Sequence, residues 1–299
     1  MNKIAPIALF TYNRLWHTQQ TINSLLKNEL ANRSDVIIFS DGPKDENSIL
    51  KVDEVRKYIK TINGFKNIEI IESETNNGLA GSIINGVTKI VNEYGRDIVL
   101  EDDMITSPYF LRFMNDGLNF YENNEEVISI SGYIYPLKQK LPETFFLKGA
   151  DCWGWATWKR GWDLFEVDGR KLLNELEEQN LTYEFDYYGS YPYTKMLKDQ
   201  IAEKNNSWAI RWYASAFLKQ KLSLYPGIAL VHNIGNDKTG AHCQKTSLFD
   251  VNLSNKPIKV NDLILKNNEE FVKLLSKFFK VGIIKKIIDK IKSYTLKNQ

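Results

Sequence analysis

Four short apolar runs, each ending in polar or acidic residues, are spaced along the first part of the chain with helix-compatible stretches between them. "IAPIALFTY" reads as a buried strand, and "LWHTQQTINSLLKN" as an amphipathic helix. "DVIIFSDG" is a second strand that stops at Asp41-Gly42, a turn signal. "NIEIIES" is a third, followed by "TNNGLAGSIINGVTKIVNEYG", a loop entering a helix, and "RDIVLEDD" is a fourth. Strands alternating with helices in this way form βαβ units, so the expected fold is α/β with a mainly parallel central sheet. No other feature limits the possible architectures as strongly.

In such sheets ligands bind outside the carboxyl ends of the strands. Thr11 to Arg14, Asp41 and the triplet Glu101, Asp102 and Asp103 all stand at those ends and are expected to share one crevice. Adjacent carboxylates repel, and they are seldom buried without a partner. Either the triplet is a solvated turn or something cationic offsets it. Hard oxygen ligands suit Mg²⁺ or Mn²⁺, which also bind nucleotide phosphates.

Beyond residue 105 the pattern changes. "VISISGYIYP" reads as a strand, "SWAIRWYASAFLKQK" as a helix, and "LSLYPGIALVHNIG" as a strand pair or a strand and turn. "DCWGWATWKRGW" holds Trp153, Trp155, Trp158 and Trp162. With 43% hydrophobic and 25% charged residues in 299, the chain has the composition of a soluble globular protein. No apolar run approaches the roughly 18 residues that span a bilayer. The N-terminus lacks the pattern of a secretion signal, and two cysteines, Cys152 and Cys243, argue against a disulfide framework. A cytoplasmic location is expected.

Residues 271–299 hold eight lysines and one aspartate, a balance of +7. Residues 1–270 hold 31 basic and 36 acidic residues, a balance of −5, which disfavours nucleic acid as a partner. The expected organisation is one domain over 1–245 and a lysine-rich helical tail over 246–299. The tail's apolar and lysine positions recur at helical spacing, which fits a helix lying on an anionic membrane surface, or a helix capping the domain.

These motifs together resemble the glycosyltransferases of the GT-A fold. "EDD" is similar to their DxD-type motif, and "PIALFTYNRLWHTQQTINSLLKN" resembles the opening strand and helix of the family-2 enzymes. "IIFSDGP" stands where those carry a base-binding aspartate, and "NNGLAGSIINGV" is similar to their asparagine-glycine segment. "GWATWKRGW" and the stretch from Trp208 to Gly240 resemble the acceptor half of bacterial polysaccharide glycosyltransferases and, more distantly, N-acetylglucosaminyltransferase I.

The resemblance implies a Rossmann-like GT-A fold, with a nucleotide-binding half over 1–105 and an acceptor half over 106–245. It implies a metal-dependent inverting transfer from a nucleotide sugar, with a UDP-sugar favoured. The acceptor would be a hydroxyl of a surface polysaccharide or lipid-linked saccharide. Asp103 is the expected ligand of Mn²⁺ or Mg²⁺, with Asp102 and Glu101 at the metal shell or sugar-ribose. Asp41 would accept from the uracil imide. Thr11 and Arg14 would meet ribose or phosphate, and Asn77 and Gly78 would bring the backbone close. A late histidine often completes the metal shell, and His242 in "GNDKTGAHC" is favoured over His232, with neither as the remaining alternative. Trp153 and Trp155 are expected near the acceptor or donor sugar, and Trp158, Trp162 and His17 in structural roles.

The general base is where the resemblance fails. Relatives often place an acidic pair ahead of the proline of the next strand, but counting back 18 residues from Pro226 reaches Trp208, where no acid stands. Asp151 is the best substitute, ahead of Asp186 and Glu166. A degenerate transferase that binds a sugar nucleotide or partner without chemistry is the alternative. A sugar-nucleotide pyrophosphorylase would need a glycine-rich loop after the first strand, and "IALFTYNRLW" has none.

Overall fold

A computed structural model describes residues 3–237 and 246–282. Its first half alternates as the apolar runs predict: β1 (Ile7–Thr11), α1 (Leu15–Leu25), β2 (Asp35–Ser40), α2 (Glu46–Ile59), β3 (Asn67–Glu72), α3 (Gly78–Tyr94) and β4 (Arg96–Glu101). A short β5 (Met104–Thr106), α4 (Phe110–Phe120), β6 (Val127–Ser131), β7 (Thr144–Lys148), β8 (Trp155–Trp158) and α5 (Lys159–Trp162) follow. Then come α6 (Gly169–Glu178), α7 (Thr182–Phe185), α8 (Tyr193–Ile201), α9 (Trp208–Leu218), β9 (Leu222–Pro226) and β10 (Val231–Asn233).

The main sheet has the order β3-β2-β1-β4-β8-β6-β9-β7. β1 pairs in parallel with β2 and β4, β2 with β3, and β6 with β9. β8 runs antiparallel to both β4 and β6, and β7 antiparallel to β9. Six of the eight strands therefore point one way, and only β8 and β7 are reversed. The mainly parallel α/β architecture is as expected.

Both faces of this sheet are covered, which is why its strands read as continuous apolar runs rather than alternating ones. Ile7 and Leu9 face α1, α2 and α4 through Ile22, Val55 and Phe113. Ala8 and Phe10 face α3 and α9 through Ile83, Val87 and Trp212. α2 starts on a capping box in which the Asp45 side chain accepts from Ser48 N, an arrangement typically worth about 1 kcal/mol.

Residues 269–282 form a helix whose Phe271, Val272, Leu275 and Phe279 are buried against Phe145 and Leu147 of β7 and Tyr225 of β9. The spacing i, i+1, i+4, i+8 is that of one helical face. The chain read as a separate tail from residue 246 thus contributes, up to residue 282, to the core of the same domain. No helix among the described residues is long and apolar enough to cross a membrane.

Candidate donor and acid site

The sequence brings Arg14 to the acidic triplet by ending β1 one strand away from β4. Phe10 is paired with Glu101 in the parallel ladder, so the residues that follow each strand emerge side by side. Arg14 precedes the first turn of α1, and its Nη2 donates to Asp102 Oδ1 and, at 2.7 Å, to Asp103 Oδ2. The cation that offsets the acidic repulsion is therefore, in the first instance, part of the chain. Burial works against the guanidinium charge, but Asp102 and Asp103 outweigh it and hold the Arg14 pKa above its ordinary value.

The acids respond to the same field. Burial, then Asp103 and Asp102, push Glu101 up to about 8 against the pull of Arg14. Asp102 is pushed up to about 6, by burial first, with Arg14 opposing and Asp103 adding to the shift. Three buried polar atoms here have no partner among the described residues: Arg14 Nη1, Asp102 Oδ2 and Asp103 Oδ1. One free donor and two free acceptor oxygens thus remain once the internal ion pairs are made.

The turn carrying the acids is pinned from α1. Thr21 Oγ1 donates to Asp102 O at 2.7 Å and accepts from Met104 N at 3.0 Å. From the other side, β5 pairs with β10, and Ile234 N donates to Asp103 O at 2.9 Å. Gly235 then passes over the carboxylate with no space for a side chain: a Cβ there would lie 2.0 Å from Asp103 Oδ2. His17, read as structural, is buried on α1 and reaches Asp237 Oδ2 of the same loop at 3.1 Å.

Asp41 departs from its expected role. Its Oδ1 accepts from Gly42 N, Asn77 N and Asn77 Nδ2, and its Oδ2 from Asn76 Nδ2 and Gly78 N. Five donors of the chain fill the carboxylate, and a nucleobase imide would have to displace one of them. Asp41 is the hub that shapes the loop entering α3. Gly78 sits there at φ +68°, a conformation that favours glycine. Thr11 closes β1, and its carbonyl accepts from Asp41 N at 3.0 Å. Arg56, which belongs to no recognisable motif, ties this corner together by donating to Ser73 O at 2.6 Å and to Asp41 O at 3.3 Å.

Asp151 comes to the same edge from the opposite direction. β8 lies antiparallel to β4 with Val99 opposite Trp155, so the residues before β8 run beside those after β4. The thiol of Cys152 is pushed well up by burial, then by the charges of Asp151, Glu101 and Asp103. Asp151 Oδ1 accepts from Cys152 N at 2.7 Å, and burial raises the carboxyl's pKa. The other two base candidates are committed elsewhere. Asp186 accepts from Thr194 N at 2.6 Å, and Glu166 pairs with Lys171 at 2.7 Å.

The two tryptophans expected at the sugar part company. Trp155 is fully buried and packs against Trp162, Trp208 and Trp212, so it is core and meets no sugar. Its strand is covered on both faces, which a run of indoles alone does not reveal. Trp153 stays partly exposed, edge-on to Tyr133 at 4.6 Å and to Phe249 at 5.9 Å. Trp158 and Trp162 are core, as expected. His232 lies in β10, where its Nδ1 accepts from Val251 N at 3.5 Å. His242 lies outside the described residues.

Among the described residues no group of three or more His, Cys, Asp or Glu side chains is arranged to hold a metal ion. The free oxygens of Asp102 and Asp103 nevertheless fit a hard cation of the Mg²⁺ type, which takes one or two carboxylates and keeps waters and phosphate oxygens as its other ligands.

Residues 7–137 match the family model described as Glycosyl transferase family 2. The match contains Thr11, Arg14, Asp41, Asn77, Gly78 and the acidic triplet, and it stops before Asp151. No curated protein matches the chain by sequence. Among solved structures, the chain is similar to a mannosyltransferase from Pyrobaculum calidifontis in complex with GDP-Man and Mn²⁺, at 11% identity and TM-score 0.34, over 44% of this chain and 35% of that one. It is similar to S. aureus TarS at 17% identity and TM-score 0.33, over 47% and 23%. It is also similar to GalNAc-T7 with UDP, GalNAc and Mn²⁺ at 14% identity and TM-score 0.38, over 55% and 36%. The similar region thus spans from about a quarter to about a third of those three chains.

Proposed function

We propose that the protein, whose residues 7–137 match the family model described as Glycosyl transferase family 2, transfers a sugar from a nucleotide-sugar donor to a hydroxyl of a saccharide acceptor. The observation that carries this reading is the arrangement of Arg14, Asp102 and Asp103. Each aspartate gives one oxygen to the guanidinium and keeps one free, and Arg14 keeps Nη1 free. A diphosphate with its cation supplies what those three atoms lack. Asp103, with Asp102 beside it, would hold Mn²⁺ or Mg²⁺, which as a Lewis acid offsets charge on the departing diphosphate.

The chain's own residues do the rest. Arg14 Nη1 donates to a phosphate oxygen, and the loop that Asp41 organises from Asn76 to Gly78 forms the wall beside the nucleotide. The acceptor oxygen attacks the anomeric carbon as the bond to the diphosphate breaks, with inversion. Asp151 takes the acceptor proton, and its raised pKa makes it a stronger base than an exposed aspartate. Trp153 offers the acceptor a partly exposed indole. A UDP-sugar donor and a surface-polysaccharide or lipid-linked acceptor are the substrates we assign.

One observation favours a second reading, a binder that does no chemistry. α9 begins with Ser207 as its cap and a buried Trp208, so the acid that relatives supply there is absent. Calorimetric titration of UDP with Mn²⁺, then with EDTA, for the native chain and for Asp103→Ala tests the donor site. Metal-dependent binding that the substitution abolishes supports it, and absence of binding in both conditions refutes it. Tight binding with no turnover over a panel of donors and acceptors would establish the binder instead.

A further inference from the structure

Five polar side chains of α1 and its two ends lie in one line. Arg14, His17, Thr21, Ser24 and Asn28 follow one another at intervals of three and four residues, which sets them on a single face of the helix. Four of them hold the acidic turn and the strand that follows it. Arg14 binds Asp102 and Asp103, and Thr21 binds Asp102 O and Met104 N. Ser24 Oγ accepts from Thr106 N at 3.0 Å, and Asn28 Nδ2 donates to Thr106 Oγ1 at 2.9 Å. His17 turns instead to the segment after β10, where its Nε2 donates to Asp237 Oδ2 at 3.1 Å.

That segment is the one that crosses Asp103. Asn233 of β10 pairs with Met104 of β5, and Ile234 N donates to Asp103 O at 2.9 Å. Asn233 Oδ1 accepts from Gly235 N at 2.8 Å, which turns the chain over the carboxylate, where even a Cβ finds no space. The near side of the crossing is thus fixed by the pairing of β5 with β10. On the far side Asn236 O accepts from Thr246 N at 3.2 Å, and Asp237 meets His17. A shift of Asp237 is passed to Gly235, two residues away, and from there to Asp103 and Arg14, because close-packed groups transmit displacement.

Resting on the donor-site reading, we propose that His17 is a positioning residue of that site: through Asp237 it holds the segment after β10 at the separation from Asp103 that a cation and diphosphate require. The helix that supplies Arg14 to the acids thereby also sets how closely the opposite wall approaches them.

Packing alone does not call for a histidine at this place. His17 is 5% exposed, and a buried imidazole gives up its water and must recover a partner, a cost that an apolar side chain avoids. Asp237 is under no such constraint, since its side chain is 38% exposed. The bond therefore fixes where the segment lies and is not needed to bury the acid. The segment's own bonding is also incomplete, as it is at Arg14, Asp102 and Asp103: Asn236 Nδ2 is buried without a partner among the described residues.

The test joins a double-mutant cycle to hydrogen exchange. UDP with Mn²⁺ is titrated calorimetrically into the native full chain, His17→Ala, Asp237→Ala, the double variant and the conservative Asp237→Asn, with a melting curve for each. Either alanine variant should bind UDP about tenfold more weakly, the order of one hydrogen bond to a charged group. The double variant should be no weaker than the singles, because both remove the same contact. Asp237→Asn keeps an acceptor oxygen and should recover most of the loss. Without UDP, exchange of the Ile234 and Gly235 amides should quicken about tenfold in the alanine variants. If His17→Ala fails to fold, the two Asp237 variants still carry the comparison, because that side chain lies nearer the surface. Native-like affinity in the alanine variants, additive losses in the double variant, no recovery in Asp237→Asn or unchanged exchange would overturn the proposal and leave the donor site standing. Absence of UDP binding by the native chain would refute the donor site itself, and the positioning role with it.

Discussion

Gly235 lies over Asp103 so closely that a single added carbon would sit 2.0 Å from the Asp103 Oδ2 atom and 3.2 Å from Arg14 Nη1. The carboxylate cannot swing away, because the same oxygen accepts from Arg14 at 2.7 Å. Gly235→Ala must therefore lift the loop after β10 or break the ion pair. We expect UDP affinity or turnover to fall roughly a hundredfold, the effect of about 1 Å of misplacement. Unchanged affinity and turnover would show that this loop takes no part in the site.

Removing Arg14 exposes the other side of the same relationship. Arg14→Ala leaves Asp102 and Asp103 buried without their counter-charge, a loss of about 3 kcal/mol by analogy with other broken buried pairs. A divalent cation then has more to offset. Mn²⁺ should raise the melting temperature of the variant by more than it raises that of the native chain. Equal increments would mean that the free oxygens of Asp102 and Asp103 do not meet the metal.

Asp151 is separable from the donor contacts. Asp151→Asn keeps its shape and removes the proton acceptor, so turnover should drop by roughly 10²–10⁴-fold while UDP binding stays within about twofold of native. The same change at Asp186, which serves only Thr194 N in the described structure, should leave the chemistry untouched. Initial-rate kinetics beside calorimetry distinguishes the two positions.

Asp97 offers a pH test remote from the crevice. It is fully buried in β4, neither oxygen has a well-formed hydrogen bond, and burial holds its pKa well above the usual carboxylate range. The folded state keeps a proton that the unfolded chain loses near pH 4. Stability therefore falls as pH rises from there toward the folded pKa, by at most about 1.4 kcal/mol per pH unit. Asp97→Asn should remove this component, so its urea midpoint should gain on the native one as pH rises. A constant difference from about pH 4 to 8 would place the native proton elsewhere.

The strands of the first half and the convergence of their ends were legible because a parallel sheet covered on both faces demands unbroken apolar runs. Arg14 and the triplet were legible for the same reason, since each is the first charged group after such a run. What Asp41 binds was not, because its carboxylate is filled by a loop thirty-five to thirty-seven residues later in the chain. β7 escaped notice because "TFFLK" is short and follows a loop rich in polar residues. Trp155 and Trp153 differ by two positions, yet one is core and the other partly exposed. Indoles suit a buried strand and a sugar equally well, and only the covering of β8 by α3 and α9 separates the cases. The helix over 269–282 posed the same problem, since one apolar stripe fits either a protein surface or a lipid one.

The reversal of β8 has one last implication. A purely parallel sheet can supply its working edge only with residues that leave strands. By threading one strand backwards between β4 and β6, this chain delivers Asp103 on its way out of one strand and Asp151 on its way into the next. The two carboxylates are 48 residues apart in the chain, and they sit on segments that belong to different halves of the fold. The edge is thus assembled from both halves, and the loop after β10, which passes over Asp103, ties them together.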